Sequence, residues 1–467
     1  MVFSSILFLF VFLPTVLLLY FIVNRRTKNI ILLIASLLFY AYGEGGLVMI
    51  MIVSIIWNFF IGISIHKFSQ SSKWVLAFGI VGNLGLLVYY KYINFIINNL
   101  QLANLLNNYN NESIILPIGI SFFTFQSISY LIDVYRKDSN VQRNILHLGL
   151  YISLFPQLIA GPIIRYHDVA SQILNRSINI AKFYEGMCRF IRGLAKKVII
   201  ANNMALIADS TFNGNPSELS AAIAWIGILA YTLQIYYDFS GYSDMAIGLG
   251  KMFGFDFLEN FNYPYIAQSV QDFWRRWHIS LSTWFRDYVY ISLGGNRLGS
   301  LRTYTNLFIV FFITGLWHGA SWSFVVWGLY HGLFLIIERI GFGAFLKKLP
   351  TIIRHGYLLF VVLIGWVFFR SPDLNFAMQY IESLFNFSSG LYYIPLLYFN
   401  EYTLTLIPIA LMFIGPLREW IKSKLIIQPD FLQTIPYLRG VGYLILFAYC
   451  ATELAQDTYN PFIYFRF

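Results

Sequence analysis

Two short segments of the sequence place histidine beside tryptophan. The first contains Arg276, Trp277 and His278, and the second contains Trp317 and His318. An imidazole, whose unperturbed pKa is about 6.5, can remove the proton of a hydroxyl group at neutral pH. A second histidine or a tryptophan N–H group can orient that base or stabilise a developing oxyanion. The two segments therefore fit the transfer of an acyl group to a hydroxyl.

His318 lies inside a long apolar tract, residues 306–337, twelve positions after the tract begins. Twelve residues of helix rise about 18 Å, which places the imidazole at membrane depth. Gly315 and Gly319 flank it and allow close backbone approach or a break in the helix. An ionisable side chain inside a membrane span predicts a function, because its burial is costly. The alternative is a core histidine with both nitrogens hydrogen-bonded, the interpretation we favour for His331.

His278 is predicted to lie on a short helix nearer the membrane interface. Ser269 and Asp272 have the spacing of a capping box, which predicts the start of that helix. Trp274 and His278 would then lie four residues apart on one helix face, and Asp272 could pair with Arg276 at the same spacing. The histidine is either a helper in catalysis or an anchor at the lipid headgroups.

Two carboxylates, Asp238 and Asp244, lie with Ser240 in another apolar stretch. Carboxylates within a membrane span are rare and face partners or polar cavities. These could line a polar passage, or they could pair with Arg275, Arg276 or a helix end. The sequence does not separate the two interpretations.

The elements that would position these residues are membrane-spanning helices. The 467 residues are 58% hydrophobic and only 12% charged, whereas a soluble domain carries about a quarter charged residues. The composition predicts an all-α polytopic membrane protein with about eleven or twelve crossings and no soluble domain. The predicted spans are 2–23, 30–42, 47–65, 74–100, 114–134, 146–164, 221–250, 306–337, 357–369, 392–414 and 438–455, with an interfacial amphipathic helix within 165–197.

Basic residues set the predicted orientation. Arg25, Arg26 and Lys28 directly follow the first span, which predicts an N-terminus outside and this triplet in the cytoplasm. We attribute the net charge of +10 to Lys and Arg residues in such cytoplasmic loops. An anionic cytosolic donor, such as a coenzyme A thioester, would also be attracted to this face. The chain has only two cysteines, which excludes a disulfide framework. The sequence also lacks a cluster of cysteines or carboxylates that would predict a metal site. No dinucleotide or phosphate-binding loop is present.

At these residues the sequence resembles the membrane-bound O-acyltransferase family, and most closely the branch that contains the membrane subunits of alginate and peptidoglycan O-acetyltransferases. The resemblance runs across essentially the whole chain. It rests on Trp-Arg-Arg-Trp-His278, Gly-Leu-Trp-His318-Gly, Gly161-Pro162-Ile, the opening Val2-Phe-Ser-Ser and the closing Pro461-Phe-Ile-Tyr-Phe-Arg-Phe467.

The resemblance implies a single domain over residues 1–467. In this domain, a ring of about 11–12 tilted helices, with re-entrant and interfacial helices, surrounds a central funnel. It implies that His318 is catalytic and that His278 assists. Candidate substrate-binding residues are Trp277, Trp317, Asp238, Ser240 and Arg276. No bound cofactor or metal is implied.

The resemblance also implies a division of labour in a bacterial cytoplasmic (inner) membrane. The chain would take an acetyl group from a cytosolic thioester, with acetyl-CoA as the expected donor, and pass it outward. A periplasmic or extracellular SGNH/GDSL-type partner would place it on a polysaccharide. One alternative is the D-alanyl exporter of teichoic acid modification, which uses a carrier protein. Another is a transporter or flippase, which would more often show paired repeats or interrupted helices in both halves.

The last residues, 456–467, are predicted to form an aromatic tail outside the cytoplasm, because twelve crossings would bring the C-terminus to that side. The tail is short and aromatic, so we expect it to fold back onto the outer funnel. The phenol of Tyr464 is a possible acyl relay, since His318 could deprotonate it and an acyl-phenol ester is reactive. The alternative is an aromatic anchor at the membrane interface.

Overall fold

The computed structural model describes residues 1–100, 114–159, 161–387, 400–417, 429–456, 460 and 463, with the side chains of 429–437 excepted. Over these ranges the chain forms helices and no strands, which confirms the all-α prediction. The first ten α-helices are α1 Leu13–Ile22, α2 Lys28–Glu44, α3 Val48–Lys67, α4 Ser72–Leu87, α5 Ile93–Asn99, α6 Ile120–Arg136, α7 Ile145–Ser153, α8 Phe155–Leu158, α9 Tyr166–Leu174 and α10 Ile180–Ala195.

The remaining helices carry most of the residues singled out above. They are α11 Asn202–Phe212, α12 Ala221–Met252, α13 Val270–Arg276, α14 Ile279–Trp284, α15 Ser300–His318, α16 Trp322–Ile337, α17 Gly343–Leu346, α18 Thr351–Arg370, α19 Leu374–Ser383, α20 Glu401–Ile414 and α21 Pro429–Gln456. Short 3-10 or π-helical turns extend or link several of them.

Five helical segments of the described chain are long and apolar enough to cross a membrane. They are Lys28–Lys67, Ser69–Asn99, Trp322–Leu346, Thr351–Arg370 and Leu438–Gln456. Phe8–Ile22 and Glu401–Ile414 are shorter apolar helices. The protein is therefore a membrane protein, while the count of eleven or twelve crossings and the ring around a funnel stay predictions.

One predicted span is broken in the structure. Residues 146–164 were expected to form one crossing, but α7 ends at Ser153 and the short α8 follows after Leu154. Leu154 leaves the helical conformation, with ψ of 111°, and Pro156 occupies the first turn of α8. Proline lacks the N–H group that a continuing helix needs and fits the first turn of a new one.

The described residues form two compact units. Unit 1 comprises 1–190 and 245–258, and unit 2 comprises 191–244 and 259–467. Inside unit 1, the amide groups of Asn58 on α3 and Asn83 on α4 donate to each other, with N–O distances of 3.0 and 2.8 Å. The prediction of a single domain over 1–467 stays a prediction.

In unit 2, α15 and α16 form a hairpin across the long apolar tract. At Gly315 a Cβ atom would collide with the carbonyl group of Phe324, and at Gly328 it would collide with that of Phe311. The two backbones approach closely only because both positions lack a side chain. The tract therefore contains two helices with a turn directly after His318.

The start of α13 agrees with the sequence prediction. The Ser269 hydroxyl accepts the backbone N–H of Asp272 at 3.1 Å, and Asp272 pairs with Arg276 at 3.0 Å. The Glu338 carboxylate also accepts the backbone N–H of Val270 at 2.7 Å. An N-terminal cap and a carboxylate at a helix N-terminus both stabilise the helix.

Candidate active site

His318 borders a small cavity within unit 2. The volume is about 10 Å³, which is close to the smallest space that can hold one water molecule. The lining residues are Ile235 and Phe239 on α12, Trp277 after α13, His318 on α15, Trp327 on α16, Trp366 and Phe369 on α18, and Ile463 in the C-terminal segment. Among the described residues of this lining, His318 alone has a side chain that can act as a general base.

Aromatic rings enclose the imidazole of His318. Its centroid lies 4.8 Å from that of Trp317, 4.9 Å from that of Trp327 and 5.0 Å from that of Phe369. The residue is 6% exposed and ends α15, so the turn after the helix positions it. His318 is therefore buried in an apolar site, while its depth in the membrane stays a prediction.

His278 occupies a buried turn between α13 and α14. The helix predicted to carry both Trp274 and His278 on one face is wrong, because α13 ends at Arg276 and His278 has φ of +44°. The neighbouring backbone explains the turn: Asn262 N–H donates to the Arg276 carbonyl, and Ile279 N–H donates to the Asn260 carbonyl, both at 2.9 Å. Left-handed backbone is strained for a residue with a Cβ, so these bonds hold it in place.

The side chain of Asn260 orients the His278 ring. Its Oδ1 accepts the Ser280 backbone N–H at 3.2 Å and the Ser280 hydroxyl at 2.9 Å, which identifies this atom as the amide oxygen. His278 Nδ1 lies 3.1 Å from the same oxygen and must donate to it. In the neutral ring the lone pair then belongs to Nε2. The side chain is 1% exposed and does not reach a lipid surface.

Trp317 connects the two histidines. Its ring centroid lies 6.1 Å from that of His278 and 4.8 Å from that of His318. Phe239, which lines the cavity, packs edge-on against His278 at 4.6 Å. The structure therefore brings both predicted histidines and Trp317 into one aromatic cluster, with Trp277 in the cavity wall.

Asp238 forms a buried ion pair next to the cavity. Its Oδ1 lies 2.8 Å from Nζ of Lys197, and the two side chains are 2% and 3% exposed. Its other oxygen accepts the backbone N–H of Ile463 at 2.9 Å. Asp244 pairs with Lys196 at 2.7 Å. Of the two interpretations left open by the sequence, ion pairing is therefore observed for both carboxylates, with Lys197 and Lys196 as partners.

The remaining predicted site residues lie at different places. Ser240 is 2% exposed, and its hydroxyl has no hydrogen-bond partner within the described part of the chain. Arg276 lies outside the cavity lining, where it pairs with Asp272 and donates to the Asn262 carbonyl at 3.3 Å. Tyr464 and most of the tail 456–467 lie outside the described residues, although Ile463 is described and lines the cavity.

The roles of Lys197 and Asn260 were not predicted from the sequence. Lys197 was counted with the basic interfacial stretch, but an apolar run, Val198–Ala201, follows it directly. A lysine beside such a run needs a buried carboxylate, and Asp238 was available as the partner. No comparable sequence signal points to Asn260, because its role depends on a backbone contact that only the fold creates.

The sequence predicted that His331 is a core histidine with both ring nitrogens hydrogen-bonded. The residue is buried, but the expected hydrogen bonds are not observed within the described part of the chain. It is 0% exposed and packs against Trp274, with ring centroids 5.1 Å apart. Neither ring nitrogen has a hydrogen-bond partner among the residues that the structure describes. Over the same residues, no group of three His, Cys, Asp or Glu side chains could hold a metal ion.

Comparison with known proteins identifies relatives along the whole chain. The model of MBOAT, the membrane-bound O-acyltransferase family, matches residues 137–371, which include His278 and His318. The chain is 40% identical to the probable alginate O-acetylase AlgI of Pseudomonas aeruginosa, over 100% of both chains. It is 37% identical to the peptidoglycan O-acetyltransferase of Helicobacter pylori, over 82% of this chain and 80% of the relative. It is 29% identical to the teichoic acid D-alanyltransferase of Bacillus subtilis, over 47% and 58%.

Proposed function

The chain belongs to the membrane-bound O-acyltransferase family, and on this premise we propose that it passes acetyl groups from a cytosolic thioester to the outside for O-acetylation of a cell-envelope polysaccharide. The protein is an O-acyltransferase of a membrane, so the transporter or flippase alternative is set aside. A bacterial cytoplasmic membrane, acetyl-CoA as donor and an SGNH/GDSL-type partner outside complete the proposal.

The single observation that carries the proposal is the burial of His318 in an aromatic cavity, with no other base among the described residues of the lining. In the proposed reaction, His318 takes the proton of the accepting hydroxyl as its oxygen bonds to the acetyl carbon. The bond between that carbon and the donor sulfur breaks, and the proton passes to the leaving thiolate. Trp317 packs against this base, and His278 packs against Trp317.

The small size of the cavity supports a protected transfer. A volume of about 10 Å³ excludes bulk water, which would otherwise hydrolyse a reactive thioester or ester. An acetyl group needs more room, so a lining side chain must move to admit it. Ile463, in the C-terminal segment, is one of two described lining residues outside the α-helices, and the other is Trp277, between α13 and α14. We assign Ile463 the role of the displaced group.

The extent of sequence similarity to the relatives favours acetyl over D-alanyl as the transferred group. The O-acetylating relatives of Pseudomonas aeruginosa and Helicobacter pylori each align over 80% or more of their length and of this chain, whereas the D-alanyltransferase of Bacillus subtilis aligns over 47% of the chain. Alginate and peptidoglycan are the polysaccharides in the names of those relatives, and an acceptor of this class is proposed here. The D-alanyl exporter remains the second candidate.

Deletion of the gene tests the proposal in the cell that carries it. We expect the acetyl esters of one envelope or secreted polysaccharide to be lost, and the D-alanyl esters of teichoic acid, where present, to be unchanged. Ester-bound acetate and D-alanine are measured after mild alkaline release, with the wild-type gene restored as control. Loss of D-alanyl esters alone would instead identify an exporter, and unchanged esters of both kinds would refute acyl transfer.

His278→Gln is expected to lower the rate of a single acetyl-transfer turnover about 10²-fold, the lower end for a helper in proton transfer. Glutamine can still donate to Asn260 but supplies no imidazole nitrogen. The matched control is His355→Gln, since His355 lies in the same unit, outside the cavity lining, with Nδ1 3.1 Å from the Ala267 carbonyl. A wild-type rate in His278→Gln would leave this histidine with a structural role in its turn.

A further inference from the structure

A second cavity, in unit 1, is rich in positive charge. It has a volume of about 320 Å³ and lies where the end of α1, the start of α2 and the segment after α9 meet. Arg25, Lys28 and Arg176 line it together with Tyr20 and Asn29, and no carboxylate is found in its described lining. Three cations thus converge on one space that the acyl-transfer site does not use.

Arg176 is held rigidly at the base of this cavity. Its Nε donates to the Tyr20 hydroxyl and to the Phe253 carbonyl, both at 3.0 Å, and its Nη1 donates to Asn29 at 2.7 Å. The guanidinium also stacks over the ring of Phe255, 4.5 Å from its centroid. The remaining nitrogen, Nη2, is buried and has no hydrogen-bond partner in the described structure. A buried donor without an acceptor costs free energy unless a ligand supplies one.

The other two cations also lack a carboxylate. Lys28 Nζ lies 4.6 Å from the ring centroid of Tyr20, the same ring that Arg176 contacts. The Arg25 guanidinium donates to the neutral side chain of Asn175 at 2.7 Å. By contrast, Lys182 in the same unit is neutralised by Asp256 at 2.7 Å. The charge in this cavity is therefore balanced by no described side chain.

Like charges that share a partly enclosed site repel one another, and an anion between them removes that cost. Arginine forks match the oxygen atoms of phosphate, and lysine adds a point charge. We propose that Arg25, Lys28 and Arg176 form a binding site for the phosphate group of a ligand. It is a site separate from the cavity at His318.

Exposed apolar side chains next to the cavity favour a phospholipid as the source of that phosphate. Leu174, which lines the cavity, is 58% exposed. Ile22, directly before the lining residue Val23, is 72% exposed, and Ile180, two positions after the lining residue Ile178, is 88% exposed. A headgroup phosphate could occupy the cavity while acyl chains lie along these side chains, the usual arrangement of a basic pocket on a membrane protein. The second source of the same chemistry is the phosphate groups of a free coenzyme A thioester on the predicted cytosolic side.

The test compares wild type with Arg25→Gln/Lys28→Gln, which leaves Arg176 and its structural bonds in place. Purified full-length protein in detergent is titrated with phosphatidylglycerol or phosphatidylcholine, and separately with coenzyme A or pantetheine, which lacks phosphate. Binding is followed by native mass spectrometry and by the midpoint of thermal unfolding. Each basic residue near an anionic group is expected to strengthen binding about 5.5-fold. Removing two of them should therefore weaken binding of the phosphate ligand about thirtyfold.

Lys182→Gln is the matched control, because this lysine already has a carboxylate partner; it should bind as wild type does. A preference for phosphatidylglycerol that the double variant loses supports a lipid site. A preference for coenzyme A over pantetheine that the double variant loses supports a site for the free phosphate ligand. If the double variant bound phosphatidylglycerol and coenzyme A as tightly as wild type does, the proposal would be overturned.

Discussion

Replacing His318 by alanine is expected to abolish polysaccharide acetylation while the protein is still made and inserted in the membrane. A base positioned for proton transfer contributes about 10²- to 10⁴-fold to a rate. The effect should lie at the upper end, because the other described residues that line the cavity are Ile, Phe and Trp and none can replace the imidazole. Ester-bound acetate is measured in cells that express each variant at equal level.

His355→Ala is the control for this variant, since His355 lies in the same unit and outside the cavity lining. Elution of both variants as wild type in size-exclusion chromatography shows that they are folded. If folded His318→Ala retained the wild-type ester content, the assignment of the catalytic base would be incorrect.

Tyr464→Phe is expected to stop acetyl transfer to the outside acceptor almost completely, on the hypothesis that this phenol carries the acetyl group. The neighbouring Ile463 lines the cavity with His318 and is fixed through its backbone N–H to Asp238. Tyr464 follows Ile463 directly in the sequence. His318 would take the phenol proton, the phenol oxygen would bond to the acetyl carbon, and the thiolate would leave with that proton.

Tyr459→Phe provides a matched control, because it removes the hydroxyl of another tyrosine in the same tail. Mass spectrometry of the wild-type protein, incubated with donor but no acceptor, should detect an acetyl ester on Tyr464. A wild-type rate in Tyr464→Phe would exclude the relay and leave this residue as an aromatic anchor.

Local patterns in the sequence predicted several parts of the site. The start of α13 follows from the spacing of Ser269 and Asp272, because an N-cap needs only neighbouring residues. The turn after His318 follows from the small residues around it, which permit two helices to approach closely. Both predictions depend on interactions within a few residues or between consecutive helices.

Features that depend on distant segments could not be read from the sequence. The left-handed turn at His278 exists because residues Asn260 and Asn262 bond to the backbone around it. The pair of Lys197 and Asp238 joins residues 41 positions apart, and only the fold selects this lysine over the nearer arginines. Long-range contacts of this kind override local helix periodicity, which explains the misplaced helix face of Trp274 and His278.

The most direct test of the central claim is acetyl transfer by the purified chain in sealed vesicles. Labelled acetyl-CoA is supplied on the predicted cytosolic side, and a partner esterase with polysaccharide acceptor is supplied on the other side. Wild type is expected to move label, without coenzyme A, to the acceptor, and His318→Ala in the same vesicles is expected to move none above the protein-free background. Equal transfer by the two proteins, or no transfer by wild type from any thioester, would contradict the proposed reaction.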